Sequence, residues 1–441
     1  MSAADSRWAA LRRPTPEWFT TAPFGIFIHW GATSVPAWAE PTGEFGTVDD
    51  HEWFTHNPYV EWYLNTIRID GSPAQRHHAE EFGGADYDDL LDLWGAERFD
   101  ADDVVDLIVA SGADYVVPTT KHHDGIPLWD APGTGTRNTV HRGPRRDIVG
   151  ELSSAAKARD LRLGLYYSGG LDWHVRPGPP ALTHEEVHDN RPSDAEYAAY
   201  AYDHVRDLVD RYDPDILWND INWPDEGKHF GDHGLGELFE HFYARRPDGL
   251  VNDRWGDGTH HDYATSEYQT ALENESEAQW ENCRGIGYSF GYNRLEGAEH
   301  YLDGAGIARH LTDVVSRGGH FLLNIGPKAD GTIPELQRSA LLGVGRWMRV
   351  AKPFLAGSRP SQGAVVASDG GWVRAVESGG RVVLFVDRPD GASGPVTVRG
   401  DVAGPVRGVE PAWGEVTSRT DDGFVVDLAE GRPGPAVLVV G

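Results

Sequence analysis

The sequence predicts an α/β fold, namely a (β/α)8-like barrel followed by a C-terminal antiparallel β-sandwich. Short apolar runs alternate with helical patterns over most of the chain, which is typical of a parallel sheet. Several runs end in His, Lys or Asp, where α/β barrels carry their functional side chains. After residue 356 the helical patterns stop and short alternating runs follow. We therefore predict a barrel domain over residues 1–355 and a β-sandwich domain over residues 356–441.

The predicted barrel strands are apolar runs rich in β-branched and aromatic residues. A run of five or six such residues is long enough for a buried strand. The number of β/α units indicates a barrel with imperfect repeats. We predict strands at residues 24–28, 115–120, 162–168, 216–220, 263–269, 287–292 and 320–325.

Two of the predicted helices carry clear end signals. Asp100 is suited to cap a helix that Gly112 ends, because Asp side chains accept hydrogen bonds from free amides and Gly adopts the left-handed conformation. A capping box formed by Ser193 and Glu196 opens a helix over residues 194–212. Each helix leads directly into a predicted strand, as expected for β/α units.

The predicted sandwich consists of short strands separated by Gly, Pro and Asp. No helical pattern interrupts them, which favours an antiparallel β domain. We predict its strands at residues 372–376, 381–386, 396–399, 424–428 and 436–440.

The charge of the chain excludes some classes of partner. The formal net charge is −30 and the pI is about 4.9. Nucleic-acid binding needs clustered Lys and Arg, so we expect no nucleic-acid partner. No run approaches the roughly 18 apolar residues of a membrane span, so we expect no membrane partner.

Cysteine content and the N-terminal segment bear on the compartment. Cys283 is the single cysteine, which excludes an internal disulfide and fits a reducing environment. Residues 1–13 contain no apolar segment typical of a signal peptide. We therefore expect a cytoplasmic location, and the composition leaves open whether the protein forms a homo-oligomer.

Two carboxylates are candidates for chemistry. Asp220 ends the run at residues 216–220, where it can act as nucleophile, base or metal ligand, although a helix cap or turn gives the same local pattern. Glu267 belongs to another run, and two carboxylates on different barrel strands can flank one glycosidic bond. A surface loop is the alternative for Glu267. The nearby acids that compete for its role are Glu273, Glu275 and Glu277.

Three histidines follow predicted strands, namely His29, His122 and His123. Histidine is mostly neutral at pH 7 and can exchange hydrogen bonds with sugar hydroxyls. Together with Asp220 these histidines also offer the nitrogen and oxygen ligands of a zinc site. None of these four residues belongs to a tight metal-binding spacing such as HExxH, so we predict no metal and no other cofactor.

Three further residues have polar or flat side chains beside apolar runs. Arg254 can orient a carboxylate or ring hydroxyls, or it forms an ordinary ion pair with a neighbouring Asp. Glu61 and Trp62 place an acceptor beside a flat ring, although the start of a helix with core aromatic residues accounts for the same pattern.

These stretches together resemble the α-L-fucosidases of glycoside hydrolase family 29. The resemblance spans about residues 17 to 350 and follows the order of the family's motifs, so the ordered set is far more specific than any single piece. The matching stretches are Phe24–Gly31, Lys121–Gly125, Tyr166–Ser168, Leu217–Asp220 with Trp223-Pro224, Asn252–Arg254, Gly285–Asn293 and Gly318–Pro327.

The resemblance implies a retaining, exo-acting enzyme that removes terminal α-L-fucose from oligosaccharides or glycoconjugates. The family's nucleophile falls on Asp220. Its acid/base position is less uniform between members and best matches Glu267 here. The positions implied for sugar binding are His29, Glu61, Trp62, His122, His123, Tyr166, Trp218, Arg254 and Phe290.

Two features depart from the family pattern. Gly319-His320 stands where many relatives carry Gly-Asn, and the stretch from Thr270 to Trp280 is unusually acidic. The second departure bears on contacts with the leaving group rather than on the nucleophile. Two other functions stay open from the residues alone, namely a metal-dependent hydrolase on the same barrel and a fucose-binding protein without turnover.

Overall fold

The computed structural model describes residues 3–271, 279–368, 370–400, 402 and 404–441. Eight strands form one parallel sheet in the order β5-β4-β3-β2-β1-β8-β7-β6. This order follows the chain around a (β/α)8-like barrel, so the predicted fold class is confirmed. The barrel strands are β1 Phe24–Ile28, β2 Tyr115–Lys121, β3 Arg162–Ser168, β4 Ile216–Asp220, β5 Leu250–Val251, β6 Ala264–Glu267, β7 Trp280–Gly285 and β8 His320–Ile325.

Helices connect most of these strands on the outside of the sheet, and short helices also lie in the long β1–β2 connection. No helix occurs in the fully described connection between β5 and β6. The helices are α1 Ala3–Ala10, α2 Glu17–Thr20, α3 Asp50–Thr55, α4 Tyr63–Thr66, α5 Pro73–Phe82, α6 Tyr87–Leu93, α7 Ala101–Ala110, α8 Ile148–Lys157, α9 His184–Asp189, α10 Ala195–Tyr212, α11 Leu235–Arg245, α12 Gly304–Ser316 and α13 Glu335–Leu355. None of the helices in the described ranges is long and apolar enough to cross a membrane.

The sheet has a seam between β5 and β6, where no ladder pairing is present in the described part of the chain. Asp262 bridges the seam: its amide donates to the Val251 carbonyl at 2.9 Å, and its Oδ2 accepts the Val251 amide at 2.8 Å. Asp253 also reaches across, because its two oxygens accept the amide and the hydroxyl of Thr265 at 3.1 and 2.8 Å. Side-chain hydrogen bonds therefore replace part of the backbone ladder between β5 and β6.

The predicted helix ends are partly correct. Asp100 caps α7 by accepting the amides of Asp102 and Asp103, as predicted. The N-cap of α10 is Asp194 and not Ser193, because the Asp194 carboxylate accepts the Tyr197 amide at 3.0 Å.

One predicted barrel strand is wrong. Residues 287–292 form a loop, and the seventh strand is instead Trp280–Gly285. This strand is fully buried although it carries Glu281, Asn282 and Arg284. Each of these polar side chains has partners inside the protein, so burial of the strand does not require an apolar sequence.

The C-terminal residues form two packed antiparallel sheets, as predicted. One has the strand order β10-β13-β16-β15 and the other β14-β17-β12-β11-β9. Their buried faces share a Val- and Leu-rich core. The strands are β9 Arg359–Pro360, β10 Val365–Ala367, β11 Trp372–Ser378, β12 Arg381–Asp387, β13 Gly394–Gly400, β14 Val406–Gly408, β15 Gly414–Thr420, β16 Gly423–Leu428 and β17 Ala436–Val440.

Buried polar contacts attach the sandwich to the barrel. Asp387 accepts Arg309 from α12 at 2.9 Å, and the Trp347 indole on α13 donates to the Pro435 carbonyl at 2.8 Å. The helix α13 ends at Leu355, close to the predicted division at residue 356, which stays a prediction as a domain boundary.

Candidate active site

The carboxyl ends of the barrel strands meet around one cleft of about 420 Å³. This volume lies in the usual range for small-molecule sites. All eleven residues singled out from the sequence line it, although they come from three strands and four connections of the barrel. They are His29, Glu61, Trp62, His122, His123, Tyr166, Trp218, Asp220, Arg254, Glu267 and Phe290.

Asp220 ends β4 and points into the cleft. Its Oδ1 accepts Arg254 Nη1 at 2.9 Å and the Ile221 amide at 3.0 Å, and its Oδ2 accepts the Tyr166 hydroxyl at 2.8 Å. Ile221 adopts a left-handed φ of 58°, a costly conformation for a β-branched residue that is characteristic of functional sites. These donors fix the carboxylate in one orientation at the mouth of the barrel.

Arg254 joins the two candidate carboxylates. Its Nη1 contacts Asp220, and its Nη2 donates to Glu267 Oε2 at 3.1 Å. The Nε of Arg254 donates to Thr265 at 3.0 Å, which fixes the plane of the guanidinium. Glu267 Oε1 accepts the Tyr59 hydroxyl at 2.8 Å. Two carboxylates therefore face one region of the cleft within the reach of a single guanidinium fork.

The hydrogen bonds of His29 and His123 fix their tautomers. Asn324 donates its amide nitrogen to the Phe290 carbonyl, so its oxygen faces His29 Nδ1 at 2.6 Å and accepts a proton there. Ser168 donates to the Leu171 carbonyl and lies 2.7 Å from His123 Nδ1. In both rings Nδ1 is therefore protonated and Nε2 is left as an acceptor.

Burial keeps the histidines of the cleft neutral. It lowers the pKa of His29 to about 4, and it also lowers the pKa values of His122 and His123. His122 stacks on Tyr166 at a ring distance of 5.5 Å, and its buried Nδ1 has no partner among the described residues. Neutral rings of this kind suit hydroxyl groups as ligands.

One group in the cleft has the composition of a metal site. Ligand atoms of His122, His123 and Asp220 lie within 4.8 Å of one another. The Arg254 guanidinium already contacts Asp220 at 2.9 Å, so a dication there would compete with a fixed positive charge for the same carboxylate. The residues therefore fit a neutral, hydroxyl-bearing ligand better than a metal ion.

Aromatic rings form the apolar part of the inner cleft. Trp62, Tyr166, Trp218 and Phe290 are each less than a tenth exposed, and they offer flat surfaces beside the polar groups. The Trp218 indole donates to Glu281 Oε1 at 2.9 Å at the base of the cleft. A ligand with both an apolar edge and several hydroxyls matches this combination.

Glu61 is a buried acceptor at the inner end of the cleft. Its Oε2 accepts the Gly291 amide at 2.9 Å, and burial raises its pKa to about 7. A carboxyl group with this pKa exists in both protonation states near neutral pH and can either donate to or accept from a hydroxyl.

The structure adds residues that the sequence motifs did not reveal. Tyr59 contacts Glu267, while Asp253 and Thr265 hold Arg254 and the strand of Glu267. Tyr59 lies only two residues before Glu61, in the same aromatic run, which is the one signal that could have indicated it. The competing acids Glu273, Glu275 and Glu277 lie outside the described residues.

The departure at His320 lies away from the cleft. His320 begins β8, whereas Asn324 near the other end of this strand contacts His29. His320 stacks on Phe19 and bonds to the Ala22 carbonyl at 2.9 Å, so it is part of the opposite end of the barrel.

The chain is similar to known proteins over most of its length. A family model described as Alpha-L-fucosidase matches residues 2–352. The Alpha-L-fucosidase of Dictyostelium discoideum is 34% identical over 359 residues, covering 79% of this chain and 73% of that protein. The Tissue alpha-L-fucosidase of Homo sapiens is 33% identical over 360 residues, covering 80% of this chain and 72% of that protein.

A solved structure extends the similarity to both parts of the fold. The Thermotoga maritima alpha-fucosidase in complex with fucose superposes with a TM-score of 0.85 at 40% identity, covering 98% of this chain and 99% of that one. A family match over most of the chain, relatives above 30% identity and this shared architecture agree with each other. The chain therefore belongs to the alpha-L-fucosidase family of glycoside hydrolases.

Proposed function

We propose that the enzyme is a retaining, exo-acting α-L-fucosidase that removes terminal α-L-fucose from oligosaccharides or glycoconjugates. The observation that carries the proposal is the pair Asp220 and Glu267, which face one cleft and share the Arg254 guanidinium. Retaining glycosidases hold their two carboxyl groups about 5–5.5 Å apart, closer than inverting ones. Contact with one guanidinium fork favours the short separation.

In the proposed first step, Asp220 attacks the anomeric carbon and the bond to the leaving oxygen breaks. Glu267 supplies the proton that the leaving oxygen takes up. The product is a fucosyl ester of Asp220 with inverted configuration at the anomeric carbon. Arg254 and Tyr166 hold the attacking carboxylate in place with hydrogen bonds at 2.9 and 2.8 Å.

In the second step, Glu267 takes a proton from water, and this water attacks the anomeric carbon. The bond to Asp220 breaks and the carboxylate returns to its donors. The second inversion restores the original configuration, so the released sugar is α-L-fucose. Neither step needs a metal or another cofactor.

Recognition of the sugar follows from the neutral groups in the cleft. The Nε2 atoms of His29 and His123 are acceptors for hydroxyl protons, and Glu61 is a further acceptor. Trp62, Tyr166, Trp218 and Phe290 suit the apolar edge and the methyl group of a 6-deoxy sugar. The residues at the inner end, such as His29 and Tyr166, are almost fully buried, and this burial supports exo action.

Stereochemistry is the first test of the mechanism. We expect proton NMR of the hydrolysis of 4-nitrophenyl α-L-fucoside to show α-L-fucose as the first-formed sugar. Initial release of β-L-fucose would contradict a retaining mechanism. Activity should also persist in excess EDTA, since no step uses a metal, and loss of turnover on chelation would favour a metal-dependent hydrolase.

The role of Asp220 is tested by Asp220→Gly. The variant should lose activity by several orders of magnitude, because no covalent intermediate can form. Azide should restore turnover and give β-L-fucosyl azide by a single inversion. Asp257→Ala, at an exposed position near the same strand ends, serves as the matched control and should keep wild-type activity. Near wild-type activity of Asp220→Gly would remove Asp220 from the mechanism.

A further inference from the structure

Glu281 is a buried carboxyl group to which the proposed mechanism gives no role. It lies on β7 beneath the cleft, it is fully buried, and it is not among the described residues that line the cleft. Burial of a carboxylate costs free energy unless the group is well paired, so strand positions of this kind are usually apolar. We therefore expect Glu281 to make contacts that an apolar side chain cannot replace.

The Glu281 carboxylate joins three strands of the barrel. Its Oε1 accepts the indole N–H of Trp218 on β4 at 2.9 Å, and its Oε2 accepts the hydroxyl of Tyr115 on β2 at 2.6 Å. Strands β2, β4 and β7 are not neighbours in the sheet, so both hydrogen bonds cross the interior of the barrel. The side chain therefore connects strands that the backbone ladder does not pair with one another.

The hydrogen bond to Trp218 spans the seam of the sheet from the inside. Strand β4 lies on one side of the seam, next to β5, and β7 lies on the other side, next to β6. Because β5 and β6 have no ladder pairing among the described residues, the sheet connects β4 to β7 only the other way around, through five strand pairings. A direct bond across the interior therefore restrains the distance between these two strands more closely.

This hydrogen bond lies one layer below the two proposed catalytic carboxylates. Asp220 follows Trp218 by two residues on β4. Cys283 follows Glu281 by two residues on β7, and it pairs with Glu267 of β6. Side chains two residues apart on a strand share a face, so the bond and the carboxylates lie in successive layers of the barrel interior. The distance between β4 and β7 therefore bears on the distance between the carboxylates.

Trp218 also supports the guanidinium that joins the two carboxylates. The Arg254 guanidinium lies over the Trp218 ring, 4.8 Å from the ring centre. The negative face of the ring attracts this cation, and donation of the indole N–H to a carboxylate strengthens the attraction because linked polar contacts polarise one another. Since Glu281 fixes the ring, it acts on Arg254 through Trp218.

We propose that Glu281 is a positioning residue for the reaction, which holds the ring of Trp218 across the seam. This contact fixes the spacing of the strands that carry Asp220 and Glu267, and through the ring it holds Arg254 between them. Glu281 itself touches neither the sugar nor the reacting atoms. An apolar residue would leave the indole donor unpaired and the spacing less restrained, and small errors in the placement of reacting groups cost much of the rate.

Two substitutions of Glu281 separate the contact from burial alone. In Glu281→Leu, kcat/KM for 4-nitrophenyl α-L-fucoside, measured per folded enzyme, should fall by roughly 10- to 100-fold, the usual value of a hydrogen bond to a charged group. Glu281→Gln should stay within about threefold of the wild type, because its amide oxygen still accepts the indole N–H and its amide nitrogen can donate to the Tyr115 hydroxyl. A wild-type kcat/KM in Glu281→Leu would overturn the proposal.

A control variant and a double-mutant cycle identify the path of the effect. Asp215→Asn also neutralises a buried carboxylate, but at the opposite end of β4, where Asp215 accepts the Leu163 amide at 2.9 Å. It should lower the free energy of unfolding in urea and keep kcat/KM. In a Trp218→Phe background, Glu281→Leu should cause little further loss of kcat/KM, because the indole donor is already gone. Equal losses in both backgrounds, or a similar loss in Asp215→Asn, would overturn the proposal.

The inference rests on the proposed α-L-fucosidase activity, and NMR of the Trp218 indole separates the two. No release of fucose by the wild type would contradict the activity, whereas the indole proton reports the contact without turnover. Burial raises the pKa of Glu281 to about 7, so its carboxylate is mostly ionised at pH 8.

The indole proton resonance of Trp218 is assigned by its absence in Trp218→Phe. At pH 8 it should move upfield in Glu281→Gln, because a neutral acceptor forms a weaker hydrogen bond than a charged one. This measurement also applies if Glu281→Leu does not fold. An unchanged resonance in Glu281→Gln would overturn the proposal.

Discussion

At the scale of single residues, Glu267 differs from Asp220 in how it is held. Asp220 accepts two hydrogen bonds on one oxygen and one on the other, including a backbone amide. Glu267 accepts one bond on each oxygen, from Tyr59 and Arg254, and its side chain is 18% exposed. The proposed nucleophile is therefore held more firmly than the proposed acid/base residue, which has to exchange protons with both leaving group and water.

A substitution of Glu267 tests this division of roles. In Glu267→Ala, kcat/KM should fall by about 10²–10⁴ for fucosides with poor leaving groups, the usual contribution of a general acid. For activated aryl fucosides the fall in kcat/KM should be much smaller, because their leaving group needs little protonation. Kinetics across a series of leaving groups measures the difference.

The anomer of the azide product distinguishes the role of Glu267 from that of Asp220. Azide attack on the covalent intermediate in Glu267→Ala should give α-L-fucosyl azide, the opposite anomer to that expected from Asp220→Gly. An equal fall of kcat/KM on all substrates, with no α-L-fucosyl azide formed, would exclude Glu267 as the acid/base residue. The acids at residues 273–277 would then be the candidates for this role.

At the scale of elements, the turn after β2 shows how a buried charge positions two histidines. Lys121 ends β2 and donates to Asp172 Oδ2 at 3.1 Å, and both side chains are fully buried. Gly125 closes the turn with φ of 72°, and a Cβ there would lie 2.2 Å from Asp172 Oδ1. The chain direction at His122 and His123 therefore depends on an ion pair on the far side of the turn.

This ion pair should have a large effect on stability. Lys121→Met should lower the free energy of unfolding by about 3–5 kcal/mol, because it leaves the Asp172 charge buried without its partner. Lys228→Met is the control, since its partner Asp225 is half exposed and such pairs contribute about 0–1 kcal/mol. Urea denaturation measures both.

A double variant checks the cause of this loss. Lys121→Met/Asp172→Asn should recover part of the stability, because no charge is left unpaired and the Asn oxygen still accepts local amides. A loss in Lys121→Met no larger than in Lys228→Met would contradict the assignment, as would a double variant no more stable than Lys121→Met.

The elements also show which parts of the fold could be predicted from the sequence. Strands β1 and β4 are apolar runs and lie where they were expected. The strand β7 was missed because barrel interiors accept paired polar groups: Glu281 accepts the Trp218 indole and the Tyr115 hydroxyl. A prediction from sequence patterns places such a strand at the surface, because hydrophobic periodicity contains no information about partners that are distant in sequence.

The residues of the candidate site could be predicted on different grounds from the strands. Eight of its eleven residues lie in the ordered stretches that resemble those of a family, whereas Glu61, Trp62 and Glu267 lie outside these stretches and were matched to family positions separately. The structure brings all eleven to one cleft. Tyr59 was not among the predicted residues, because it lies in a long connection whose path depends on packing against other loops. The individual roles of the eleven residues stay predictions.

At the scale of the whole molecule, two sets of buried ionisable groups make the stability depend on pH in opposite senses. Burial raises the pKa of Glu61 and Glu281 to about 7 and that of Glu296 to about 8. Burial also lowers the pKa of several histidines, to about 4 for His29 and about 3 for His204. The described histidines with a strongly lowered pKa are His29, His122, His123, His204, His310 and His320.

These shifts predict a stability maximum between pH 6 and 7. Below about pH 6.5 the unfolded histidines bind protons that the folded ones do not, so stability rises with pH from about 4 to 6.5. The three carboxyl groups act in the opposite sense: their contribution is complete below about pH 4.5 and is lost as pH rises through 7 and 8. Of these nine groups, the six histidines outweigh the three carboxyl groups below pH 6.5, and only the carboxyl groups act above it.

Thermal unfolding from pH 4 to 9 measures this profile. Glu296→Gln should flatten the alkaline limb by up to about 1.4 kcal/mol per pH unit, the effect of one proton. A stability that continues to rise up to pH 9, or an alkaline limb unchanged in Glu296→Gln, would contradict the assignment.

The seam between β5 and β6 has a consequence for how this enzyme can change over evolutionary time. Among the described residues, strand β6 pairs with β7 alone, so an insertion or deletion in the connection before β6 can shift its register while the pairing of β1 to β5 is preserved. A shift of two residues would bring a different side chain to the position of Glu267, at the cost of the bridges made by Asp262 and Asp253. Asp220, the proposed nucleophile, ends β4, which pairs on both sides and has no such freedom. Of the two proposed catalytic carboxylates, the proton donor is therefore the one that descendants of this fold can relocate.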